Sequence, residues 1–455
     1  MFVGLETALR AVQAHRAALN VREQNAANVS TPGYARRRIN LRSVALSNLS
    51  MTSGKNSAVL SGVDACSIER MSDCFLDAET RRTAGLLARW KEIENILGGV
   101  ESMIGGPSDP GVEDSFDALW ASLQDLTLQP ESMSTRAVVL QRAAAFCEAF
   151  RRTREYVSSS QQSLEDKIEV LVSRVNSLAS EVAKLNGEIA RATAAGRDAP
   201  SLLDRRDMLL DELAEVAGAS VVQRKDGTAC VLIGNGVLVS GESAGKIVAN
   251  GLKVSWEKTG AEVKFKDGGL AGVLEGAGHL GSMVSKLDSI AAGLISAVNM
   301  VHRQGAGLDG TTGINFFAGN SAADISVSLA LQNHPEKIAA AASADTLPGD
   351  ASNALSMVRT MDTAPVFSGA SFRDAYRSVI SDLGTASADA KASLETARAV
   401  HDHSIRQRDQ VRGVSLDEET VSMVEHQRAI EAAARFVTTV DEAMKAVLEM
   451  GVVGR

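Results

Sequence analysis

An uninterrupted heptad repeat in the middle of the chain constrains the fold more than any other feature of the sequence. Apolar residues recur there at alternating spacings of four and three. This spacing gives a helix one narrow apolar side, which is typical of a coiled-coil seam. The repeat predicts a long helix from near Arg152 to the break at residues 195–200. Its seam positions are Leu164, Ile168, Leu171, Val175, Leu178, Val182, Leu185 and Ile189.

The same spacing recurs in residues 284–301, 372–390 and 423–447, and a weaker version occupies the N-terminal segment. For the two middle runs, helices packed inside one globular domain are an equally good interpretation. The first and last runs are each one helix, and one helix cannot bury its apolar side alone. We therefore expect them to pair, although Arg16, Glu23 and His426 interrupt their seams. The predicted assembly seam comprises Leu5, Leu9, Val12, Leu19, Ile430, Ala433, Val437, Val440, Met444 and Val447.

Between residues 218 and 278 the helical spacing gives way to short runs that favour β-strands. Asp226-Gly227, Asn235-Gly236 and Asn250-Gly251 separate these runs, and such dipeptides are strong hairpin signals. Helical runs flank the segment on both sides. The sequence therefore predicts a small antiparallel β domain inserted into a helical one.

These patterns together predict a mainly α protein with a small inserted antiparallel β domain. The terminal helices are expected to pair in a coiled coil, with a bundle of long helices in the middle. Residues 43–64 are rich in Ser, Asn and Gly, which indicates an extended linker. The expected division is a terminal coiled-coil domain (1–42 plus 405–455), a helical shaft domain (43–217 plus 279–404) and the inserted β domain (218–278).

Composition excludes several classes of partner. The net charge is −9, and the basic run at Arg36, Arg37 and Arg38 is interpreted as a solvated patch beside a helix, so nucleic acid is not expected. The N-terminal segment lacks the continuous apolar run of a secretory signal, and we expect no membrane insertion. A disulfide between Cys66 and Cys74 has no support in the sequence.

The sequence offers little that could support catalysis. Residues 305–310 fit a dinucleotide-binding glycine pattern, but a predicted helix precedes them where a strand is required. His401 and His403 are two positions apart, so on a helix they point in different directions and cannot share a metal ion. We therefore expect no enzyme activity, no catalytic residues, no cofactor and no metal. An enzyme stays the first rival class, to be recognised by turnover or a bound cofactor.

The segment after the N-terminal helix combines residues that stop helices. Asn28 and Thr31 compete for backbone hydrogen bonds, and Pro32 with Gly33 then turns the chain before Tyr34. An ordinary helix stop explains these residues equally well. The segment, however, resembles the N-terminal signature of flagellar rod, hook and hook-associated proteins, carried here by Asn25, Asn28, Thr31, Gly33 and Tyr34.

Further patches narrow the resemblance to the flagellar hook-associated protein 1 family of hook–filament junction proteins. The end of the chain, from Leu416 to Arg435, is similar to the ending of that family. The Leu202–Asp207 run resembles its helix before the β domain, and Asn299, His302 and residues 316–317 resemble its helix and loop after that domain. A helical hairpin around residues 129–150 adds another patch. Another axial protein (the second junction protein or a hook or rod subunit) and an unrelated coiled-coil scaffold are the alternatives.

This resemblance implies a structural role outside the cell. Members of the family are exported unfolded by the flagellar type III apparatus and form a ring-like layer joining hook to filament. The partners so implied are copies of the chain itself, the hook protein and the second hook–filament junction protein. Exposed apolar helix sides are an aggregation hazard before assembly. We therefore expect a cytoplasmic export chaperone on the C-terminal helix.

Overall fold

The computed structural model describes residues 2–46, 59–104 and 111–452. Within those ranges the chain forms nine α-helices: α1 (Phe2–Ala27), α2 (Cys74–Ile104), α3 (Val112–Leu128), α4 (Met133–Ala194), α5 (Pro200–Ala217), α6 (Gly269–His302), α7 (Ser352–Thr363), α8 (Phe372–Arg412) and α9 (Leu416–Val452). The strands of the same ranges are β1 (Arg37–Leu46), β2 (Val59–Arg70), β3 (Ser220–Gln223), β4 (Ala229–Ile233), β5 (Gly236–Ser240), β6 (Ser243–Ala244), β7 (Ile247–Asn250), β8 (Lys253–Trp256), β9 (Phe317–Ala318) and β10 (Ser326–Val327). The fold is mainly α with small antiparallel sheets, as predicted.

The chain divides into two compact units. Unit 1 contains residues 1–85, 175–246 and 398–455, and unit 2 contains residues 86–174 and 247–397. Both termini therefore belong to unit 1, where α1 and α9 contact each other over much of their length. The predicted pairing of the terminal helices is confirmed.

The predicted linker at residues 43–64 is wrong for the part that the structure describes. Strands β1 and β2 form a long antiparallel hairpin, with Arg37 opposite Arg70 and Ser43 opposite Val63; residues 47–58 lie outside the described ranges. The hairpin lies against α1, and a Cβ added at Gly62 would come within 3.3 Å of the Thr7 backbone. Helix α1 covers only one side of this hairpin, so the strands need few apolar residues. The composition of the segment therefore resembled that of a loop.

The strand-rich segment holds the predicted hairpin turns. Strands β3 to β6 form a four-stranded antiparallel sheet in unit 1, and β7 pairs with β8 in unit 2. The predicted turns at Gly227 and Gly251 have positive φ angles of 82° and 60°, which glycine adopts without strain. Helix α6 begins at Gly269, inside the segment that was predicted to be strand-rich up to residue 278.

A buried amide attaches the sheet of unit 1 to α4. Asn186 is fully buried, and its Nδ2 donates to the carbonyl oxygens of Ala229 (2.8 Å) and Gly241 (2.9 Å). Its Oδ1 accepts from the backbone N–H of Ala229 at 3.0 Å and from Arg206 of α5 at 3.3 Å. Two helices, strand β4 and the turn between β5 and β6 are thereby held through one side chain, without an unsatisfied polar group at its amide.

The heptad seam of α4 is buried as predicted at every position except Leu171, which is half-buried. The helix itself starts at Met133, well before the predicted start near Arg152. In unit 2 the fully buried Phe146 and Phe150 of this earlier part pack against Phe372 of α8, with ring centroids 5.5 and 5.8 Å apart. Several of the chain's few aromatic residues are therefore concentrated in one part of the core of unit 2.

The loop after α6 is built around two polar side chains. The Oδ1 of Asn299 accepts from the backbone N–H groups of Phe316 and Phe317 at 2.8 and 2.9 Å. His302 is fully buried: its Nδ1 lies 2.7 Å from the carbonyl oxygen of Ile314, and its Nε2 accepts from the N–H of Ala339 at 3.0 Å. This arrangement requires a neutral imidazole, and burial lowers the pKa of His302 to about 4.

Helix α6 is long and apolar enough to cross a membrane, judged by length and composition alone. Its residues Leu287, Leu294 and Val298 are buried in the core of unit 2. Its Lys286 forms an ion pair with Asp382 at 2.8 Å, and its Asp288 pairs with Arg154 at 3.4 Å. These contacts are those of a core helix of a folded unit.

Candidate functional site: the joint between the terminal helices

Helices α1 and α9 run antiparallel in unit 1. A Cβ added at Gly4 would lie 3.4 Å from the ring of Phe436, His15 contacts His426, and Arg22 pairs with Glu419. Residue numbers therefore increase along α1 in the direction in which they decrease along α9. Residues Ala8, Ala14, Ala18 and Val21 of α1 are buried, and such small side chains let two backbones approach closely.

A buried carboxylate joins the start of α9 to the rest of unit 1. The side chain of Glu419 has no solvent exposure. Its Oε1 accepts from Arg36 Nε at 2.7 Å, and its Oε2 accepts from Arg22 Nη1 and Asn25 Nδ2, each at 3.1 Å. Glu419 also lies in the first turn of α9, where the helix dipole favours a negative charge. We call Arg22, Asn25, Tyr34, Arg36 and Glu419 the terminal joint.

Both the oxygen and the nitrogen of the Asn25 side-chain amide form hydrogen bonds at this joint. Its Oδ1 accepts from the Tyr34 hydroxyl at 2.8 Å and from the backbone N–H of Arg37 at 2.9 Å. Its Nδ2 donates to the carbonyl oxygen of Arg37 at 2.9 Å and to Glu419. This one fully buried side chain therefore fixes the end of α1, the loop that follows and the start of the hairpin.

The loop between α1 and β1 is shaped by the other residues of the sequence signature. Asn28 Nδ2 donates to the carbonyl oxygen of Gln24 at 2.8 Å, and Thr31 Oγ1 donates to Asn28 Oδ1 at 3.1 Å. Gly33 has a φ of 78°, and a Cβ there would lie 2.3 Å from Met208 Cγ of α5. Its carbonyl oxygen accepts from Arg412 Nη2 at 2.7 Å. The loop is thus held from α5 and from the end of α8.

Helix α5 supplies three carboxylates on one side, because Asp204, Asp207 and Asp211 are spaced three and four apart. Asp204 pairs with Arg37 (3.2 Å) and Arg70 (2.7 Å) of the hairpin. Asp211 pairs with Arg81 (2.7 Å) of α2 and Arg408 (2.9 Å) of α8. The carboxylates therefore connect the hairpin, α2 and the end of α8 to one helix.

Asp207 lies at the centre of that group and is almost fully buried. Burial alone would raise its pKa, but the guanidinium groups of Arg70 and Arg81 hold the pKa of Asp207 below its usual range. Asp77 of α2 lies 3.5 Å from Arg412, and burial together with the charge of Asp207 raises the pKa of Asp77. Arginine is suited to such sites because it stays charged when buried.

A cleft of about 420 Å³ opens beside the signature loop in unit 1. Gly33, Tyr34, Met208, His401 and Arg408 are among its lining residues. Among its charged lining side chains, Asp211 is ion-paired with both Arg81 and Arg408. In the described residues, no group of three or more His, Cys, Asp or Glu side chains could hold a metal ion.

The predicted seam residues of α1 and α9 differ in exposure. On α9, Ile430, Ala433, Val437, Val440 and Met444 are half-buried, and Val447 is exposed. On α1, Val12 and Leu19 are half-buried, whereas Leu5 and Leu9 are 36% and 55% exposed.

At about 100° of rotation per residue, Leu5 and Leu9 lie about 80–140° around α1 from the α9 contacts of Gly4, His15 and Arg22. Val12 and Leu19 lie closer to those contacts, which agrees with their partial burial. Helix α1 meets the hairpin on yet another side, through Thr7 and Arg10. We call Leu5, Leu9, Val12 and Leu19 the leucine stripe. Their role in assembly stays a prediction.

Sequence reasoning found the signature residues but missed their partners. The interpretation of Arg36 and Arg37 as a solvated patch is wrong, since their side chains are 24% and 14% exposed and both are ion-paired. The local sequence around Glu419 does not indicate that its carboxylate is buried against Arg22 and Arg36. The spacing of Asp204, Asp207 and Asp211 was the available signal for the ion pairs of α5. Three carboxylates on one buried side of a helix require cations nearby.

The comparisons with known proteins agree with one another. Residues 97–317 match the family described as flagellar hook-associated protein FlgK helical domain, and residues 411–450 match the flagellar basal body rod FlgEFG protein C-terminal family. Flagellar hook-associated protein 1 of Bacillus subtilis strain 168 is 29% identical, with 100% of this chain and 99% of that protein covered. The protein of the same name from Escherichia coli K12 is 23% identical over 98% of this chain and 99% of its own length.

A solved structure shows the same fold. The flagellar hook junction protein FlgK from Burkholderia pseudomallei superposes with a TM-score of 0.64, at 15% sequence identity. The superposition covers 75% of this chain and 100% of that one. The chain therefore belongs to the flagellar hook-associated protein 1 (FlgK) family, and it is a non-enzymatic structural component of the bacterial flagellum at the extracellular hook–filament junction.

Proposed function

We propose that the chain assembles as a ring-like layer between hook and filament, and that its terminal helices form the interface between neighbouring copies. As a member of an axial-protein family, it assembles with other flagellar axial proteins. The finer partners that we propose are copies of itself, the hook protein and the second hook–filament junction protein. Such a layer would adapt two tubular lattices mechanically to each other.

The exposed leucine stripe is the observation that carries this proposal. Helix α1 already contacts α9 and the hairpin, yet it keeps Leu9 more than half exposed on a third side. Helix α9 likewise exposes Val421 and Val424 beyond the side that faces α1. Apolar residues on several sides of a helix favour burial against several neighbours. A tube built from packed helices provides those neighbours.

The test is complementation of a strain that lacks this protein, examined by electron microscopy. Loss of the protein should leave hooks without filaments and should release flagellin into the medium. Wild-type protein should restore filaments, whereas Leu9→Asp should not, because it places a charge in the leucine stripe. Leu9→Met, which keeps an apolar side chain at the same position, is the matched control and should restore them. Normal filaments with Leu9→Asp would contradict the proposed interface.

We also propose that an export chaperone binds α9 before assembly, through Val437, Val440 and Met444. These residues are apolar and only half-buried in the free chain, so a cytoplasmic partner that covers them would prevent aggregation. Deleting residues 415–455 should abolish chaperone binding in a pull-down from the native cytoplasm. A Val437→Ser/Met444→Ser variant should weaken it, and unchanged binding by the deletion would reject the proposal.

The division of labour along the chain is a further proposal. Residues 1–42 plus 405–455 are assigned to the assembly base, residues 43–217 plus 279–404 to a rigid helical shaft, and residues 218–278 to an accessory β domain. Removing the β domain with a short linker should leave filament formation intact if its role is accessory. Loss of filaments with that deletion, in a protein that still folds, would contradict this assignment.

A further inference from the structure

Two histidines face each other across the pair of terminal helices. The Nδ1 atoms of His15 on α1 and His426 on α9 are 3.3 Å apart, and the ring centroids are separated by 5.4 Å. Both rings are half-buried. The residues one turn before and after His15 are alanines (Ala11 and Ala18), and His426 lies between Met423 and Ile430. The histidine pair is thus a titratable contact within a mostly apolar interface.

The contact requires a free lone pair on one ring. A hydrogen bond between two Nδ1 atoms needs one nitrogen to donate its N–H and the other to accept it. One added proton is compatible with this bond, because an imidazolium can donate to a neutral imidazole. A second proton makes both nitrogens donors, so the two rings then present like charges at hydrogen-bonding distance. The two protons are therefore taken up as a coupled pair.

The charged groups around the histidine pair come from each element packed against it. Arg22 lies two turns along α1 and is engaged by Glu419, and Glu425 precedes His426 on α9. Strand β2, which also packs on α1, contributes Asp64, and this carboxylate pairs with Arg10 at 3.4 Å. Burial first, and then the neighbouring His15 and Arg22, lower the pKa of His426, whereas Glu425 acts in the opposite direction.

We propose that the histidine pair makes closure of the terminal helices sensitive to pH. The pair holds α1 and α9 together when at least one ring is neutral, and it separates them when both rings are protonated. The terminal joint would persist as the fixed end, because Arg22, Arg36 and Asn25 hold Glu419 independently of the histidine pair. Acid would therefore release the part of α9 beyond His426 while leaving its first turn attached.

The test measures hydrogen exchange of α1 and α9 in the full-length protein between pH 8 and pH 5, with protection corrected for the pH dependence of intrinsic exchange. Wild-type α9 beyond His426 should lose protection on acidification by on the order of tenfold, because two like charges at this distance oppose closure of the helices. Protection around Glu419 should change less. Unchanged protection in the wild type, or no protection of α9 at pH 8, would overturn the proposal.

Two double variants distinguish a loss of protection caused by protonation of the histidines from one caused by altered packing between the helices. His15→Gln/His426→Gln keeps polar side chains that do not titrate, and His15→Ala/His426→Leu restores an apolar seam that should stay closed. At least one of these should remain protected at pH 8 and show no acid-induced loss. His334→Gln, which removes an exposed histidine paired with Glu336 in unit 2, is the matched control and should keep the wild-type response. The same acid-induced loss in the apolar variant would exclude the histidine pair as its cause.

Discussion

Glu419 of α9 and Arg36 at the start of the hairpin form a 2.7 Å ion pair in which the carboxylate has no solvent exposure. Removing one partner of a buried pair leaves the other charge uncompensated, which typically costs about 3–5 kcal/mol. Glu419→Gln is therefore expected to lower the free energy of unfolding of unit 1 by about 3 kcal/mol, measured by urea denaturation. Glu418 pairs with the same arginine but is 62% exposed, so Glu418→Gln should cost less than about 1 kcal/mol. Equal losses in both variants would contradict a special role for burial.

Asn25→Asp tests the amide of the terminal joint. The change replaces an N–H donor by a carboxylate oxygen next to Glu419 and removes the bond to the carbonyl oxygen of Arg37. Unit 1 should lose about 2 kcal/mol or more at pH 7. Two adjacent carboxylates raise each other's pKa, so a proton is bound more tightly in the folded state, and the loss should shrink as the pH falls towards 4. Asn28→Asp, in the same signature but without a carboxylate partner, removes only the donation to the Gln24 carbonyl oxygen and should therefore cost less than Asn25→Asp.

Gly33→Ala tests the backbone of the signature loop. A φ of 78° costs an alanine about 1–2 kcal/mol, and its Cβ would also meet Met208. Gly196→Ala, at a φ of 65° with open space around it, carries the backbone cost alone. Thermal unfolding should therefore show a larger loss for Gly33→Ala than for Gly196→Ala. Adding Met208→Ala should remove most of the difference, and a difference that persists would point to another contact.

His302 should make unit 2 sensitive to acid. Its folded-state pKa of about 4 lies below the value of about 6.5 expected for the unfolded chain, so the unfolded chain takes up the proton first. The stabilisation is complete above pH 6.5 and is lost progressively as the pH falls towards 4, by about 3 kcal/mol in total. Urea denaturation of unit 2 across this range, with imidazole titration by NMR, measures both quantities. A His302 resonance titrating near pH 6.5 would contradict the neutral, hydrogen-bonded imidazole.

Val440→Asp tests the predicted assembly seam of α9. Val440 is half-buried in the free chain, so an aspartate should change the stability of the units little but should block incorporation into the flagellum. Thr438 is exposed and lies two positions away on the same helix, so Thr438→Asp is the control. Immunogold labelling of purified hook–filament complexes measures incorporation. Wild-type labelling with Val440→Asp would count against this seam.

The helical part of the fold was predictable because long apolar repeats have few alternative structures. The α4 seam from Leu164 to Ile189 and the turns at Gly227 and Gly251 were read directly from spacing and dipeptide chemistry. The start of α4 was not, since the polar residues Arg154 and Gln161 stand at seam positions before Leu164 and hide that Phe150 and Val157 continue the heptad spacing. The β1–β2 hairpin was missed because its stability comes from α1 and from pairing across a gap in sequence, and its residues carry no strong strand signal.

The candidate site was likewise only partly predictable from the sequence. Asn25, Asn28, Thr31, Gly33 and Tyr34 form one local stretch, and their spacing was enough to single them out. Glu419 and Arg412 could not be connected to that stretch, because a charge pattern does not say which distant cation meets which anion. The leucine stripe illustrates a further limit, since spacing identified Leu5 and Leu9 but could not distinguish a side that faces α9 from one that faces another molecule.

The position of Glu419 in the chain also has a consequence for the order of events during synthesis and folding. Arg22 and Glu419 are 397 positions apart, so almost the whole polypeptide must exist before the terminal joint can close. A chain interrupted anywhere before this residue leaves Arg22, Asn25 and Arg36 without their carboxylate, however well unit 2 has folded. Closure of the terminal joint thus requires synthesis to have passed Glu419, and a chain truncated before that residue cannot present a finished pair of terminal helices to the growing flagellum.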